Sequence, residues 1–303
     1  MVRALPEGAG QGAADPAGVS TASLMALEPL AARDGREAVA LAERPGTTAT
    51  RRRGQGHEIR EIRPFADGDD PRHIDAAATA RSGSPQVRSF HEDRERSLLL
   101  IADFRRPMLW GTASRLRSVA VAEMLALAGW RAALQGGAVG VVALTDAGPD
   151  AQPPRPRHRG MALAAACLAR AHAAALAAAE RAAAQGREPP VRPLAPDLVR
   201  AARQAPPGAG IVLATALDDP GEDLDAALAA LSARGPLRLI LIEDRFETAP
   251  PAQPLPYAAP QGAAFARFST LPAGRAARAA RLSRPGIRVQ RVSSDPVARG
   301  GGQ

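Results

Sequence analysis

Four short apolar runs, separated by helical patterns, limit the folds open to this chain more than any other feature. The runs are SLLLIAD, AVGVVALT, GIVLAT and LRLILIE, at 97–103, 138–145, 210–215 and 237–243. Nearly continuous aliphatic residues over such short spans are typical of strands buried on both faces. Because the runs alternate with helices, they predict an α/β fold: a doubly wound, mostly parallel sheet with helices on both faces.

The segments between and around these runs complete the prediction. Helical patterns predict helices at 114–134, 160–184, 196–204 and 222–233, and the Pro-rich stretch 148–158 is predicted to be a loop. Upstream, HEIREIRPF and QVRSFHE are predicted strands, with a helix from Pro71 to Ala80 capped by Asp70 between them. Residues 1–20 are predicted to be disordered because they are rich in Gly, Ala and Pro.

These patterns divide the chain into four parts. We predict a flexible leader with weak helix at 1–53, an acidic segment at 54–97, an α/β core at 98–248 and a Pro-rich, basic tail at 249–303. The tail includes a helix that places Arg275, Arg278 and Arg281 near one face. That face either contacts an anionic surface or is simply solvated, and we favour the second interpretation.

Composition narrows the functional classes. The 303 residues carry a net charge of +8, all of the basic side chains are Arg, and aromatic residues make up 3%. Nucleic-acid platforms usually combine Arg with stacking aromatics, so a nucleic-acid partner is not favoured. The lone Cys167 fits a reducing compartment, the N-terminus lacks the apolar run of a signal peptide, and Arg170 argues against membrane insertion of its Ala-rich helix. We therefore predict a soluble, cytoplasmic bacterial protein.

No motif in the sequence indicates catalysis. There is no Gly-x-Ser-x-Gly elbow, no Walker A loop and no His spacing typical of metal helices. The acidic stretch from Ala66 to Asp75 is not a calcium loop, because Pro71, Arg72 and Ala78 occupy positions that need a ligand, a glycine and a glutamate. We predict a non-enzymatic protein without a cofactor.

One residue, Asp103, nevertheless lies where a functional site is expected. It ends the most strand-like run, and ligands usually bind at the carboxyl ends of strands in open α/β sheets. Phe104, Met108, Leu109 and Trp110 follow it, either as apolar anchors for a partner or as packing beneath the next helix.

The segment from Gly54 to Thr112 contains an ordered set of polar and small residues that carries a resemblance. It comprises an acidic stretch, an Ala-Arg-Ser-Gly turn and an Arg-x-Phe strand: Gly68, Asp69, Asp70, Arg72, Ile74 and Asp75, then Ala80, Arg81, Ser82 and Gly83, then Arg88 and Phe90. In this order they resemble the signature of the domain-of-unknown-function family 58. The match continues more loosely to about Glu247, and Ala76 and Ala77 replace the usual Trp and Lys.

The resemblance implies a von Willebrand factor A-like fold with a metal-ion-dependent adhesion site. Such sites hold Mg²⁺ with Asp-x-Ser-x-Ser after the first strand, a later Thr and a later Asp. Carried over, the first Asp is Asp103, and the other places fall on Arg105, Pro107, the neighbourhood of Met161 and Ala216. Asp218 or Asp219 would replace Ala216 if the register differs by two or three residues. A guanidinium is no metal ligand, so we predict a degenerate site in which Arg105 pairs with Asp103 and no Mg²⁺ binds.

The resemblance also implies partners. Members of this family are commonly encoded beside MoxR-type AAA+ ATPases and other von Willebrand A-like proteins, which predicts a partner or adaptor of such an ATPase in a chaperone-like assembly system. The predicted interaction residues are Asp67, Asp69, Asp70, Arg72, Asp75, Arg81, Arg105, Arg106 and Trp110. Two alternatives remain at this point: a Mg²⁺-dependent adhesion domain, and a nucleic-acid binder that uses the Arg-rich tail.

Overall fold

A computed structural model describes residues 15–33, 59–66, 69–90, 97–259 and 262–295. The described helices are α1 Thr21–Met25, α2 Glu28–Arg33, α3 Ala76–Ser82, α4 Arg117–Leu134, α5 Arg157–Ala184, α6 Leu194–Gln204, α7 Leu224–Ser232, α8 Arg245–Thr248 and α9 Leu271–Leu282. The described strands are β1 Ile59–Pro64, β2 Gln86–Phe90, β3 Ser97–Asp103, β4 Ala138–Thr145, β5 Gly148–Pro156, β6 Gly210–Thr215, β7 Leu237–Glu243, β8 Leu255–Ala259, β9 Gly262–Ala266 and β10 Ile287–Ser293. The chain forms two compact units, one of residues 36–95 and one of the remainder.

The smaller unit contains an antiparallel pair of strands, β1 and β2, with α3 between them in sequence. The single helix predicted from Pro71 to Ala80 is interrupted. A 3-10 turn covers Pro71–His73, with Asp70 as its cap, and α3 starts only after Asp75. The break occurs because Ile74 is extended and bridges to Val87 of β2, while the Asp75 carboxylate accepts a hydrogen bond from the Ala78 amide.

The larger unit is built on a six-stranded sheet in the order β10-β7-β6-β3-β4-β5, parallel except for β5. The four predicted core strands, β3, β4, β6 and β7, are confirmed at their predicted residues. Alternate side chains of β3 divide between two cores: Leu100 packs with α4 and α5, and Ile101 packs with α6 and α7 on the other face. The prediction of a mixed α/β fold with helices on both faces is confirmed.

The Pro-rich stretch predicted as a loop is instead the edge strand β5, antiparallel to β4. Prolines are tolerated there because an edge strand has a side on which no N–H has to pair. The consequence is topological: β5 runs back toward the amino ends of the parallel strands. Helix α5 therefore begins at the amino edge of the sheet, where the Arg157 amide donates to the Gly137 carbonyl.

The sheet and its packing extend beyond the predicted core boundaries at 98 and 248. In the leader, Leu24 and Ala31 are buried against the α4–α5 core, and the Trp130 indole donates to the Leu24 carbonyl at 3.0 Å. In the tail, β10 pairs in parallel with β7 along its whole length. Sequence reasoning missed β10 because its two arginines make the run look like a solvated tail.

Helix α5 is, by length and composition, able to cross a membrane, and it passes that test alone among the described residues. The helix is largely Ala, and core helices of soluble proteins pass the same test. One face of α5, which includes Met161, Leu168 and His172, is buried inside the larger unit. The cytoplasmic location of the chain stays a prediction.

Candidate functional site

The candidate site lies at the carboxyl edge of the sheet, between β3 and β6. The chain leaves β3 toward β4 on one side, whereas β6 joins β3 on the other. Such a reversal of strand order opens a crevice between the two strand ends, which is where open α/β sheets usually bind ligands. Asp103, the last residue of β3, is fully buried in this crevice.

The Asp103 carboxylate forms a bidentate ion pair with Arg105. Arg105 Nε donates to Oδ1 at 2.9 Å, and Arg105 Nη2 donates to Oδ2 at 2.8 Å. Oδ1 also accepts from the Arg105 amide at 3.1 Å, and Oδ2 accepts from the Thr215 hydroxyl at 2.7 Å. Both side chains of the pair are 0% exposed. The pair predicted between Asp103 and Arg105 is therefore present.

Arg105 uses all five of its N–H donors inside the protein. Besides the two bonds to Asp103, Nη1 donates to the carbonyls of Arg192 at 2.7 Å and Asp219 at 2.9 Å, and Nη2 donates to the carbonyl of Asp218 at 2.9 Å. The prediction that Arg105 itself contacts a partner is consequently wrong, because the side chain has neither exposed surface nor a spare donor.

The loop after β6, residues 216–219, offers four consecutive carbonyls to arginine side chains. Arg105 donates hydrogen bonds to the carbonyls of Asp218 and Asp219. Arg275 donates to the carbonyl of Ala216 at 2.8 Å, and Arg278 donates to the carbonyl of Leu217 at 3.1 Å. Two non-glycine residues of the loop have left-handed backbone, Leu217 at φ 57° and Asp219 at φ 45°. Such conformations are unfavourable and persist only where surrounding contacts fix them, and here the arginines provide those contacts.

A second arginine, Arg117, links α4 to the same loop and to α8. Its guanidinium donates to Asp218 Oδ2 at 2.7 Å and to Glu247 Oε1 at 3.1 Å, and it also contacts the Pro107 carbonyl. It lies 4.4 Å from the centre of the Trp110 ring, within cation–π range. Trp110 is therefore partly committed to internal packing.

Helix α9, predicted as part of a tail, closes one side of the site. Arg275 donates to Asp218 Oδ1 at 3.0 Å and also pairs with Glu247. Arg275 and Arg278 bond to the loop 216–219, so part of the arginine face that the nucleic-acid alternative would use is engaged inside the protein. Arg281 of the same helix is exposed.

Asp244, just beyond β7, fixes the chain segments that border the crevice, which we call the rim. Its carboxylate accepts from the amides of Thr112 at 2.9 Å and Phe246 at 2.8 Å, and it caps α8. Burial alone raises the pKa of Asp244, but the hydrogen bonds from Thr112 and Phe246 and the nearby Arg117 bring the pKa below its usual range. The group therefore stays ionised and keeps the rim in place.

The described residues do not fit a Mg²⁺ ion at this edge. Both oxygens of Asp103 already accept hydrogen bonds, and the positively charged Arg105 occupies the space beside them. The second hydroxyl place falls on Pro107, which has no ligand atom in its side chain. Within the described ranges, no three His, Cys, Asp or Glu side chains come together as a metal site would require.

The other positions that the adhesion-site pattern assigns do not lie together in the structure. Ala216 lies in the loop beside Asp103, as the register predicts, and Asp218 and Asp219 contribute carbonyls to Arg105. Met161 lies near the start of α5, against Gly129 of α4 and near the amino edge of the sheet, so it is not part of the site. The hydroxyl at the site comes instead from Thr215. The sequence held one sign of it, because Thr215 is the last residue of a predicted strand.

Other residues of the site were missed because only the fold brings them together. Arg117, Glu247 and Arg275 are separated in sequence from Asp103 and from each other, and no local pattern marks them. Charged side chains such as these are usually exposed, so the sequence alone suggests surface positions. In the structure, both arginines pair with Glu247.

The predicted interaction residues differ in accessibility. Asp67 lies outside the described residues. In the smaller unit, Asp70, Arg72 and Arg81 are exposed, whereas Asp75 is buried as a helix cap and Asp69 pairs with Arg63 at 2.7 Å. In the larger unit, Arg106 is half-buried, 3.5 Å from Glu188, and Trp110 is half-buried. Phe104 and Met108 are fully buried, so the packing interpretation is correct for these two.

A serine–histidine pair that the sequence did not indicate joins α4 and α5. Ser118 Oγ lies 2.9 Å from His172 Nε2, and Phe104 packs edge-on against the imidazole. Burial lowers the pKa of His172 to about 4, although the charge of Asp15 acts in the opposite direction. Because both side chains are buried, we interpret the pair as a neutral link between helices rather than as a nucleophile and its base.

Comparison with known proteins identifies a family. A family model described as "Protein of unknown function DUF58" matches residues 61–255. Uncharacterized proteins of Mycobacterium bovis and Mycobacterium tuberculosis are 40% identical to this chain over 75 residues. That match covers 24% of this chain and 24% of each relative. Activity, substrates and partners therefore do not transfer from these relatives.

Proposed function

The chain belongs to the DUF58 family, and on that premise we propose a non-enzymatic protein-interaction module that acts as a partner or adaptor of a MoxR-type AAA+ ATPase. The proposal includes a von Willebrand factor A-like fold, with a degenerate adhesion site and a cytoplasmic location. The mostly parallel sheet with helices on both faces is compatible with that fold. The lone buried Cys167 fits a reducing compartment.

The observation that carries the proposal is the filled crevice at Asp103. Where an adhesion site would hold a cation and use it to bind a partner's carboxylate, the guanidinium of Arg105 is buried and fully hydrogen-bonded. The hydrogen-bonding groups of Asp103 and Arg105 are thus engaged within the protein, which supports a structural role for the pair. It fixes the ends of β3 and β6, so that the rim around them can present a constant surface.

The rim residues that can reach a partner are Arg106 and Trp110. The Arg106 side chain is 31% exposed beside a mostly exposed Glu188, and its amide is held by Asp146. Arg and Trp are frequent among residues that dominate binding energy at protein interfaces. Exposed Asp70, Arg72 and Arg81 of the smaller unit supply a second candidate surface.

The test is affinity purification of the full tagged chain from a lysate of the organism that encodes it. An AAA+ ATPase should be enriched over a tag-only control, and Arg106→Glu should reduce its recovery. Arg106 is a sharper probe than Arg105, because removal of the buried Arg105 would disturb folding. Arg203→Glu is the matched control. Arg203 is exposed on α6, so this substitution makes the same change of charge at a position away from the rim. Recovery of no AAA+ ATPase would refute the proposal.

A further inference from the structure

Two arginines lie side by side at the opposite, amino edge of the sheet. Arg238 is the second residue of β7 and Arg288 the second of β10, and the two are direct partners in the parallel register. Their strand neighbours Leu237 and Ile287 are buried in the α6–α7 core, so both arginine side chains emerge on the other face. Helix α4 packs on that face and carries Arg131 in its last turn.

This arginine edge, Arg131, Arg238 and Arg288, concentrates positive charge. Burial lowers the pKa of Arg238, and the neighbouring Arg131 and Arg288 lower it further. Among the described residues, no carboxylate or hydrogen-bond acceptor is paired with the side chain of Arg238 or Arg288. A half-buried guanidinium without a counter-charge is unfavourable, which makes this edge receptive to an anion.

Several other arginines that lie on or next to the sheet are arranged differently. At the carboxyl edge, Arg105, Arg117 and Arg275 each pair with a carboxylate. Even on β10 itself, Arg291 near the other end of the strand pairs with Glu243 at 2.8 Å. The charge of the sheet is therefore compensated at the carboxyl edge and left open at Arg238 and Arg288.

Beyond Ile287, the outer backbone edge of β10 is open as well. Strand β10 lies at the end of the six-stranded sheet, and within the described ranges no strand pairs with its outer edge. Only its first residue, Ile287, is engaged, in a backbone bridge to Arg284, which leaves the edge from Arg288 to Ser293 for a partner. The opposite edge strand, β5, has four prolines that block strand addition: Pro149, Pro153, Pro154 and Pro156. A sheet with one blocked and one open edge can take an extended peptide only alongside β10.

We propose that Arg238 and Arg288, with Arg131 beside them, bind a carboxylate-bearing extended segment of a partner protein along β10. Bidentate arginine–carboxylate bonds would supply the charge pairing, and the open edge would supply main-chain hydrogen bonds. A nucleic acid fits this edge less well, because β7 and β10 carry no aromatic side chain on which bases could stack. The inference concerns the opposite edge from the ATPase surface and does not rest on it.

Fluorescence anisotropy with the full chain tests this inference. The probes are a labelled short peptide of alternating glutamate and valine, the same peptide with glutamine in place of glutamate, and a labelled single-stranded oligonucleotide. We expect only the acidic peptide to bind well. Arg288→Glu should weaken its binding by about tenfold or more, because a repulsive charge replaces an attractive one at an exposed position. Arg288→Gln should weaken it less, in the same direction.

Arg203→Glu is the matched control, since this exposed arginine lies at the same edge but on the other face of the sheet. It should leave peptide affinity unchanged, and so should Arg106→Glu, which separates this surface from the ATPase proposal. If Arg203→Glu and Arg288→Glu weakened peptide binding equally, the effect would come from net charge alone, and the inference would be overturned. Tighter binding of the oligonucleotide, lost in Arg288→Glu, would assign the edge to nucleic acid instead and equally overturn it.

Discussion

At the residue scale, Asp103 and Arg105 bury two opposite charges with no exposed surface on either side chain. Removal of both ions from water is unfavourable by several kcal/mol each, and only close geometry and further hydrogen bonds offset it. Here the offset comes from Thr215 and three backbone carbonyls. Such a pair adds little net stability, but it penalises every arrangement of the strand ends that leaves one charge unpaired.

His172 gives a prediction at the same scale. Its pKa lies at about 4 in the folded chain against 6.5 for an ordinary histidine. The unfolded chain therefore takes up a proton first, so the stability is complete above pH 6.5 and is lost as the pH falls toward 4. We expect a loss on the order of 3 kcal/mol across this window.

The measurement is the free energy of unfolding in urea, followed from neutral to acid pH for the native chain and for His172→Gln. Glutamine keeps a hydrogen-bonding group near Ser118 but does not titrate. Because carboxylates titrate equally in both chains, the difference between the two curves isolates His172. Parallel curves would contradict the buried, neutral histidine.

At the scale of elements, β5 depends on one close approach to β4. A Cβ added to Gly140 would lie 2.7 Å from the backbone nitrogen of Pro154, and backbone atoms cannot move aside as a flexible side chain can. We expect Gly140→Ala to lower the free energy of unfolding by about 1–3 kcal/mol.

Gly274→Ala is the matched control for this substitution. Gly274 lies in α9, and an added Cβ would meet nothing within 4 Å. It should stabilise the chain by about 0.5–1 kcal/mol, because alanine favours the helix. Urea unfolding of both variants checks the pair, and a neutral Gly140→Ala would argue against the β4–β5 contact.

The same elements show what the sequence can and cannot predict. Strands such as β3 were predicted to the residue because both faces are buried and the central positions form an unbroken apolar run. β5 and β10 were missed because each lies at an edge, where prolines and arginines are tolerated. At the site, Asp103 and its bond to Arg105 were predictable from two neighbouring residues. Thr215 and Arg275 were not, since only the folded sheet brings them to Asp103.

At the scale of the whole molecule, described segments of the leader and of the tail complete the larger unit. Leu24 is buried against α4 from the leader, while α9 and β10 from the tail supply Arg275 and the last strand. A chain that stops at residue 248, the predicted end of the core, would expose one edge of β7 and the face that α9 covers. We expect it to lose cooperative thermal unfolding and to bind a dye specific for exposed apolar surface. If it unfolds at the temperature of the full chain, the tail is dispensable.

Arg105 fills the crevice at Asp103 with its own guanidinium. A double-mutant cycle of Asp103→Asn and Arg105→Gln, measured by urea unfolding with Mg²⁺ and with a chelator, tests this arrangement most directly. We predict that each single variant loses about 3–5 kcal/mol, that the double variant loses far less than their sum, and that Mg²⁺ changes nothing. Additive losses, or a stabilisation by Mg²⁺ that disappears in Asp103→Asn, would contradict the account.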